Sequence, residues 1–166
     1  MGLESLAITN LMNKNIIVAE QDLNLITISK IMSNNDIGSV VIVDDINTRR
    51  PIGIITERDI VKTIGMIQPQ QLLVPIRDYM SRPLITLSSK ASVYDAIKLM
   101  YEKKIRRILI LEKEKLVGII TDKDIFRSLV NNKELLSTTV GAHLPIPEDK
   151  LKNEISQFWF NNTFIE

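Results

Sequence analysis

The sequence lacks cysteine altogether and has one histidine, His143, among its 166 residues. Without cysteine the chain can form no disulfide framework, thiol nucleophile or thiolate metal site, which fits a reducing compartment. A single histidine also excludes a two-histidine metal site within one chain. Neither glycine-rich phosphate-loop motif occurs in the sequence. We therefore expect a protein with no metal, no catalytic cofactor and no enzymatic activity.

The chain also has little net charge and no long apolar run. Its formal net charge is +1, so it lacks the basic surface that general nucleic-acid binding needs. Apolar runs such as residues 39–43 are far too short to span a bilayer. Residues 1–6 lack the basic and apolar segments of a signal peptide. We expect a cytoplasmic protein that binds neither a membrane nor a nucleic acid.

What the sequence does contain is a repeat. Residues 53–60 read GIITERDI, and residues 118–125, which begin 65 positions later, read GIITDKDI. Each copy runs from a glycine through an apolar strand end into a Thr-x-x-Asp that can begin a helix. A site that is present twice is typical of a symmetric binding module rather than of an enzyme.

The duplication extends over most of the chain. Residues 8–17 match residues 76–85, and both stretches read as a short helix followed by an extended apolar segment. A helix with one apolar face follows in each copy. The residues of these two faces are Leu25, Ile28, Ile31 and Met32, and Val93, Ala96, Ile97 and Met100. Two apolar strands come next in each copy, at residues 40–43 with 52–55 and at residues 108–111 with 116–120.

The order β-α-β-β-α in each copy predicts an α+β fold. Each copy has only about sixty residues, a size at which a lone core is marginal. The strands are apolar on nearly every residue, as in sheets that are covered on both faces. We therefore expect the repeats to pack through their sheets with pseudo-two-fold symmetry. The predicted boundaries are residues 1–66 for repeat 1, 67–75 for a linker, 76–131 for repeat 2 and 132–166 for a C-terminal tail.

The Thr-x-x-Asp of each copy has two interpretations. Thr56 or Thr121 can cap a helix, and Asp59 or Asp124 three residues later completes a capping box. The same atoms also suit a ligand, because a helix N-terminus favours a phosphate. An aspartate there can accept hydrogen bonds from two neighbouring ribose hydroxyls, as acidic residues do in dinucleotide sites.

The repeated unit, with its β-α-β-β-α order ending in Gly-apolar-apolar-Thr-x-x-Asp, resembles the cystathionine-β-synthase domain, or CBS domain. A tandem pair of these domains forms a Bateman module. The resemblance covers about residues 8–130. It departs from the family at Val41 and Leu109, where a proline is common, and in the turn at residues 112–115, which lacks the usual glycine.

The resemblance implies a non-catalytic regulatory module, for example in energy sensing, that binds adenosine-containing ligands in two clefts. The ligands would be AMP, ADP or ATP, or S-adenosylmethionine. A homodimer and an unidentified protein target are also implied. The alternative function is a ligand-free dimerisation or protein-interaction adaptor, in which the two aspartates only cap helices.

Family architecture further implies that each cleft is assembled crosswise from the two repeats. In each cleft the aspartate would hold ribose hydroxyls, the threonine the first phosphate, and the apolar residues the adenine. The first cleft would contain Thr56, Arg58, Asp59, Leu84, Ile85, Ile105, Arg106 and Arg107. The second would contain Ile16, Ile17, Ile37, Gly38, Ser39, Thr121, Lys123 and Asp124.

The two clefts are expected to differ in charge. The first has three arginines, whereas the second has one lysine, with a glycine and a serine at the positions of Arg106 and Arg107. Arginine binds phosphate through two parallel hydrogen bonds, while lysine acts as a point charge. We expect the first cleft to bind a nucleotide more tightly and to tolerate more phosphates. The alternative is that Arg106 and Arg107 are simply solvated at the start of a strand.

The tail holds half of the eight aromatic residues of the chain. One interpretation is that it covers apolar surface of its own module. The other is an exchanged arm or a docking site for a partner, since exposed aromatic clusters mark interfaces. The aromatic residues are Phe158, Trp159, Phe160 and Phe164, and the apolar face of a predicted tail helix is Leu151, Ile155, Phe158 and Trp159.

Overall fold

Two small sheets and four helices form the framework of the computed structural model, which describes residues 3–132. The predicted tail helix, its aromatic residues and His143 lie outside the described residues. The helices are α1 (Leu25–Asn35), α2 (Glu57–Ile64), α3 (Val93–Lys103) and α4 (Asp122–Asn131). The strands are β1 (Val18–Glu20), β2 (Ser39–Val43), β3 (Pro51–Thr56), β4 (Thr86–Ser88), β5 (Arg107–Glu112) and β6 (Lys115–Thr121).

Each repeat has one three-stranded sheet with the same topology. The strand orders are β1-β2-β3 and β4-β5-β6. The first two strands of each sheet are parallel, and the last two are antiparallel. The predicted α+β fold with two β-α-β-β-α repeats is therefore confirmed.

The first strand of each sheet starts later than the sequence analysis places it. Ile16 and Ile17, expected in that strand, precede β1, and Leu84 and Ile85 precede β4. Ile17 still offers its carbonyl oxygen to the Val41 N–H at 3.3 Å. Regular strand pairing begins only at the next residue, so these apolar side chains lie just before the first paired residue of each sheet.

Each repeat has its own apolar core, built on the predicted helix faces. Leu25, Ile28 and Met32 of α1 are buried, and Ile31 is partly buried. The equivalent residues of α3 follow the same pattern, with Val93, Ala96 and Met100 buried and Ile97 partly buried. The apolar periodicity of both helices is thus confirmed.

The segment at the start of each repeat crosses over to pack on the other repeat. Ile8 belongs to the core of the second repeat, whereas Ile76 and Met80 belong to the core of the first. Backbone hydrogen bonds hold both crossings, with Ile8 N to Ala91 O at 3.1 Å and Ile76 N to Leu23 O at 2.6 Å. We call residues 8–13 and 76–81 the straps.

A methionine of each strap lies on a glycine of the opposite repeat. A Cβ at Gly53 would collide with the Met80 side chain, and a Cβ at Gly118 would collide with that of Met12. The residue after each methionine then pairs with the same strand, as Ser81 N donates to Ile54 O at 2.8 Å. The glycine of the repeated sequence is therefore explained by this close approach of the strap.

The sheets of the two repeats meet through their inner faces. Side chains alternate along a strand, so Val40 and Ile42 enter the core of the first repeat, while Val41 points the other way and is 1% exposed. Leu109 of β5 is equally covered, at 2% exposure.

None of the helices in residues 3–132 is long and apolar enough to cross a membrane.

Candidate functional site

Two cavities open in the seam between the repeats. The cavity at the start of α2, which we call the Asp59 cavity, has a volume of about 400 Å³. The cavity at the start of α4, the Asp124 cavity, has a volume of about 940 Å³. Small-molecule sites typically measure roughly 300–1,000 Å³. Both cavities are therefore large enough for a ligand of nucleoside size.

The structure brings each predicted set of residues together in one cavity. The eight residues of the first set all line the Asp59 cavity: Thr56, Arg58, Asp59, Leu84, Ile85, Ile105, Arg106 and Arg107. The eight residues of the second set all line the Asp124 cavity: Ile16, Ile17, Ile37, Gly38, Ser39, Thr121, Lys123 and Asp124. Each cavity is assembled crosswise from both repeats. That these residues bind a ligand stays a prediction.

The threonine and aspartate of each cavity form a capping box. Thr56 N and Thr56 Oγ1 donate to Asp59 Oδ2 at 2.9 and 2.7 Å, and Asp59 N donates back to Thr56 Oγ1 at 3.2 Å. The corresponding distances for Thr121 and Asp124 are 2.9, 2.6 and 3.2 Å. Helix capping thus accounts for one carboxylate oxygen of each aspartate.

A third capping box shows that this arrangement alone does not mark a site. At the start of α3, Ser92 N and Ser92 Oγ donate to Asp95 Oδ2 at 2.9 and 2.7 Å. These hydrogen bonds from Ser92 hold the pKa of Asp95 below its ordinary value. Asp95 lines neither the Asp59 cavity nor the Asp124 cavity. What sets Asp59 and Asp124 apart is therefore their place in the seam.

The second carboxylate oxygen of each aspartate is not used by the capping box. Within residues 3–132, Asp59 Oδ1 receives only a long hydrogen bond, from Ser81 Oγ at 3.4 Å. No residue in the described range 3–132 donates a hydrogen bond to Asp124 Oδ1. Because a carboxylate has about four lone-pair positions, both aspartates keep acceptor capacity.

Arg107 belongs to both cavities. It is the first residue of β5 and lines the Asp59 cavity as predicted, and it lines the Asp124 cavity as well. Its Nη1 donates a hydrogen bond to the Gly38 carbonyl oxygen. Burial lowers the pKa of the Arg107 guanidinium, while the carboxylates of Glu57, Asp122 and Asp59 raise it. An arginine in these surroundings stays charged. This one side chain therefore places a positive charge in the lining of both cavities.

Gly38 leaves room for two charged side chains, those of Arg107 and Glu57. A Cβ at Gly38 would lie 2.8 Å from Glu57 Oε2 and 3.6 Å from Arg107 Nη2. Glu57 begins α2, yet its carboxylate lies against Gly38 of the Asp124 cavity. A side chain at this position would push the acid away, so the glycine has a steric role in the seam.

Several charged residues of the cavities escaped the sequence analysis. Lys62 and Arg127 line the two cavities from one helical turn beyond each aspartate, and Lys104 and Asp36 line them from the ends of α3 and α1. The expectation of one lysine in the second cleft was wrong, because Arg107 and Arg127 also line it. Aligning the two repeats beyond the motif would have found these positions, since each residue has its equivalent in the other copy.

The charge balance of the two linings has opposite sign. Five basic and two acidic residues line the Asp59 cavity, namely Arg58, Lys62, Lys104, Arg106 and Arg107, with Glu57 and Asp59. Three basic and four acidic residues line the Asp124 cavity, namely Arg107, Lys123 and Arg127, with Asp36, Glu57, Asp122 and Asp124. Within residues 3–132 no group of three or more His, Asp or Glu side chains could hold a metal ion.

Comparison with known proteins gives one consistent family. Residues 8–65 and residues 76–131 each match the family model of the CBS domain. An uncharacterized protein of Methanopyrus kandleri is 36% identical over 126 residues, which are 75% of this chain and 63% of that protein. The L-aspartate semialdehyde sulfurtransferase of Methanocaldococcus jannaschii is 32% identical over 114 residues, which are 63% of this chain and 22% of the enzyme. The chain thus spans less than two thirds of either relative.

Ligands are present in one of the solved structures that are similar to this chain. It is the CBS domain pair of a protein in complex with 5′-methylthioadenosine and S-adenosyl-L-methionine. The two chains superpose with a TM-score of 0.66 and 25% sequence identity, over 75% of this chain and 96% of that one.

Proposed function

Because the chain belongs to the CBS domain family, we propose that it is a regulatory module that binds adenosine-containing ligands in its two cavities. CBS domain pairs are in general regulatory and not catalytic. The sulfurtransferase relative is matched over only 22% of its length. The proposal is therefore that this chain senses a ligand and carries no reaction of its own.

The observation that carries the proposal is the spare carboxylate oxygen at each helix start. Asp59 and Asp124 line the two cavities; each commits Oδ2 to a capping box, and its Oδ1 has little or no hydrogen-bond donor within residues 3–132. Two adjacent ribose hydroxyls are donors of the kind that such an acidic residue accepts. Hydrogen bonds to a charged group contribute about 1.5–3 kcal/mol each, so the ribose is a strong anchor.

The adenine would lie among the apolar residues that the opposite repeat contributes. Leu84, Ile85 and Ile105 play this part in the Asp59 cavity, with Ile16, Ile17 and Ile37 as their equivalents in the Asp124 cavity. Ligand sites of this kind combine apolar walls with a few polar groups that fix orientation. An adenosine would thus contact both repeats at once.

The Asp59 cavity is better suited to phosphates than the Asp124 cavity. The start of α2 carries a partial positive charge, and Arg58, Lys62 and Arg106 line the same cavity. We propose that a nucleotide binds there more tightly, and with more phosphates, than in the Asp124 cavity. The domain pair in complex with methylthioadenosine and S-adenosylmethionine supports the adenosine class as a whole.

Regulation follows from the crosswise assembly. A ligand that touches both repeats favours the arrangement in which they fit it best, and it shifts the population only if its affinity for the two arrangements differs. We propose that this shift is read by a partner protein, with the chain acting as a homodimer.

A thermal-shift panel with AMP, ADP, ATP and S-adenosylmethionine tests the proposal. A ligand at about 100 times its Kd stabilises the folded state by about 2.7 kcal/mol. For a chain of this length the Tm should rise by about 5–11 °C, at about 2–4 °C per kcal/mol. The 2′,3′-dideoxy form of the best nucleotide is the matched control and should lose most of the shift. No shift with any of the four ligands would contradict the proposal.

The alternative, a ligand-free adaptor, has one observation in its favour. Val61 and Ile64 of α2 are 71% and 54% exposed, and Met66 just beyond the helix is 84% exposed. Exposed apolar groups of this kind mark interaction surfaces. If no ligand shifts the Tm while Val61→Ser and Ile64→Ser lower the oligomeric mass, the adaptor is the better account.

A further inference from the structure

The repeated fold places one residue of opposite charge at the same position of the two cavities. Asp36 ends α1 and Lys104 ends α3, both in the left-handed conformation, with φ of 50° and 55°. Both backbone N–H groups close the last turn of their helix, on Met32 and Ser33 and on Met100 and Tyr101. Asp36 lines the Asp124 cavity, and Lys104 lines the Asp59 cavity. The backbone conformation is the same, and the side chain there is acidic in the Asp124 cavity and basic in the Asp59 cavity.

The first residues of α2 and α4 add to the difference in charge between the two cavities. Glu57 and Asp122 hold the same position, the first of α2 and of α4. Asp122 lines only the Asp124 cavity, and Glu57 Oε2 lies against Gly38 of that same cavity. Glu57 lines the Asp59 cavity as well, so the Asp124 cavity has both first-turn acids and the Asp59 cavity has one. The additional acid counters the attraction of the α4 N-terminus for an anion.

From this asymmetry we infer that the two cavities take adenosine ligands of different charge. The Asp59 cavity takes a ligand with phosphates at the 5′ position. The Asp124 cavity takes one with an uncharged or cationic 5′ substituent, such as a thioether or a sulfonium, and Asp36 and Lys104 are the residues that set the choice. The inference rests on the proposed function and names the ligand class of each cavity.

The sulfonium is the sharper probe of the Asp124 cavity. S-adenosylmethionine carries a positive sulfur, and S-adenosylhomocysteine is the same molecule without the methyl group and without that charge. Four acidic and three basic residues line the Asp124 cavity, so the small acidic excess favours a cation over the phosphates of ATP. The larger volume, about 940 Å³ against 400 Å³, also suits the longer amino-acid substituent.

Two matched substitutions separate charge from structure. Asn tolerates the left-handed conformation well, so Asp36→Asn and Lys104→Asn both remove one charge and keep the helix end. In calorimetric titrations Asp36→Asn should weaken S-adenosylmethionine roughly two- to fivefold, the range expected for an exposed charge, and leave ATP unchanged. Lys104→Asn should weaken ATP by a similar factor and leave S-adenosylmethionine unchanged. Both losses should shrink in high salt, because exposed charges are screened.

The outcomes distinguish this inference from the proposed function. Simultaneous binding of ATP and S-adenosylmethionine, with S-adenosylhomocysteine weaker than S-adenosylmethionine, supports the inference. If adenosine ligands bind but ATP displaces S-adenosylmethionine one for one, the inference is wrong and the proposed function stands. The same holds if either substitution weakens both ligands equally or neither of them. If no adenosine ligand binds, the proposed function fails and the inference fails with it.

Discussion

At the starts of α2 and α4 the structure repeats itself closely. Asp59 Oδ2 lies 2.9 Å from Thr56 N, and Asp124 Oδ2 lies 2.9 Å from Thr121 N. Around these identical capping boxes the side chains diverge, with a basic majority in the Asp59 cavity and an acidic majority in the Asp124 cavity. Folding constrains the capping residues, because every helix needs its first N–H groups satisfied. The neighbouring residues are free of that constraint, and we propose that they set the ligand preference of each cavity.

The largest expected effect on stability comes from the methionines of the two straps. Met80 is 7% exposed, whereas Met12 is only partly buried. We expect Met80→Ala to lower the free energy of unfolding by about 2–5 kcal/mol and Met12→Ala by less, measured by urea denaturation. Met66→Ala, at a residue that is 84% exposed, is the control and should change little. A larger loss from Met12→Ala than from Met80→Ala would contradict the packing described above.

The side chain of Arg107 is shared by the two cavities. Because it lines both, Arg107→Ala should change the affinity for ligands in each of them. For ATP we expect a loss of roughly ten- to a hundredfold, as for a charged hydrogen bond, in a calorimetric titration. Arg106→Ala is the matched comparison, since Arg106 lines only the Asp59 cavity, and it should leave S-adenosylmethionine binding unchanged. Equal effects of the two substitutions on both ligands would refute the sharing of Arg107.

The glycines of the repeated sequence should behave alike, whatever the cavities bind. Gly53→Ala and Gly118→Ala each force a methyl group against a methionine and should lower the free energy of unfolding by about 1–3 kcal/mol. At Gly65, φ is −68° and an added Cβ would come no closer than 3.5 Å to its neighbours. Gly65→Ala should therefore be neutral or stabilise by up to about 1 kcal/mol. Urea denaturation of all three variants measures these changes. If Gly118→Ala leaves the free energy of unfolding unchanged, the two straps do not pack on their glycines in the same way.

The duplication explains how much could be predicted from the sequence. Matching residues 8–17 to residues 76–85, and the two GIIT stretches to each other, aligns both repeats and with them the order of the elements. The predicted cleft residues came instead from the resemblance to the CBS domain, which missed Asp36, Lys62, Lys104 and Arg127, and their role as ligand contacts stays a prediction. Matching alone does not show that the straps cross, because a strap packs equally well in sequence terms on its own repeat.

The position of Arg107 could not be predicted for a different reason. Its equivalent in the first repeat is Ser39, and a short side chain gives no sign of where a long one reaches. The guanidinium crosses the seam to the Gly38 carbonyl, a choice decided by the missing side chain at Gly38 and by three surrounding carboxylates. Such a contact depends on several residues that are distant in the sequence.

The three capping-box aspartates provide the most direct test of the central claim. Asp59→Asn, Asp124→Asn and Asp95→Asn each keep an oxygen that can accept the capping hydrogen bond, and only the first two residues line a cavity of the seam. The measurement is a calorimetric titration with adenosine, whose lack of charge puts both cavities on equal terms. We expect two binding events in the parent chain and in Asp95→Asn, and one event in each of the other two variants. If all three variants bind like the parent, or all three lose binding alike, the aspartates only cap helices and the account is wrong.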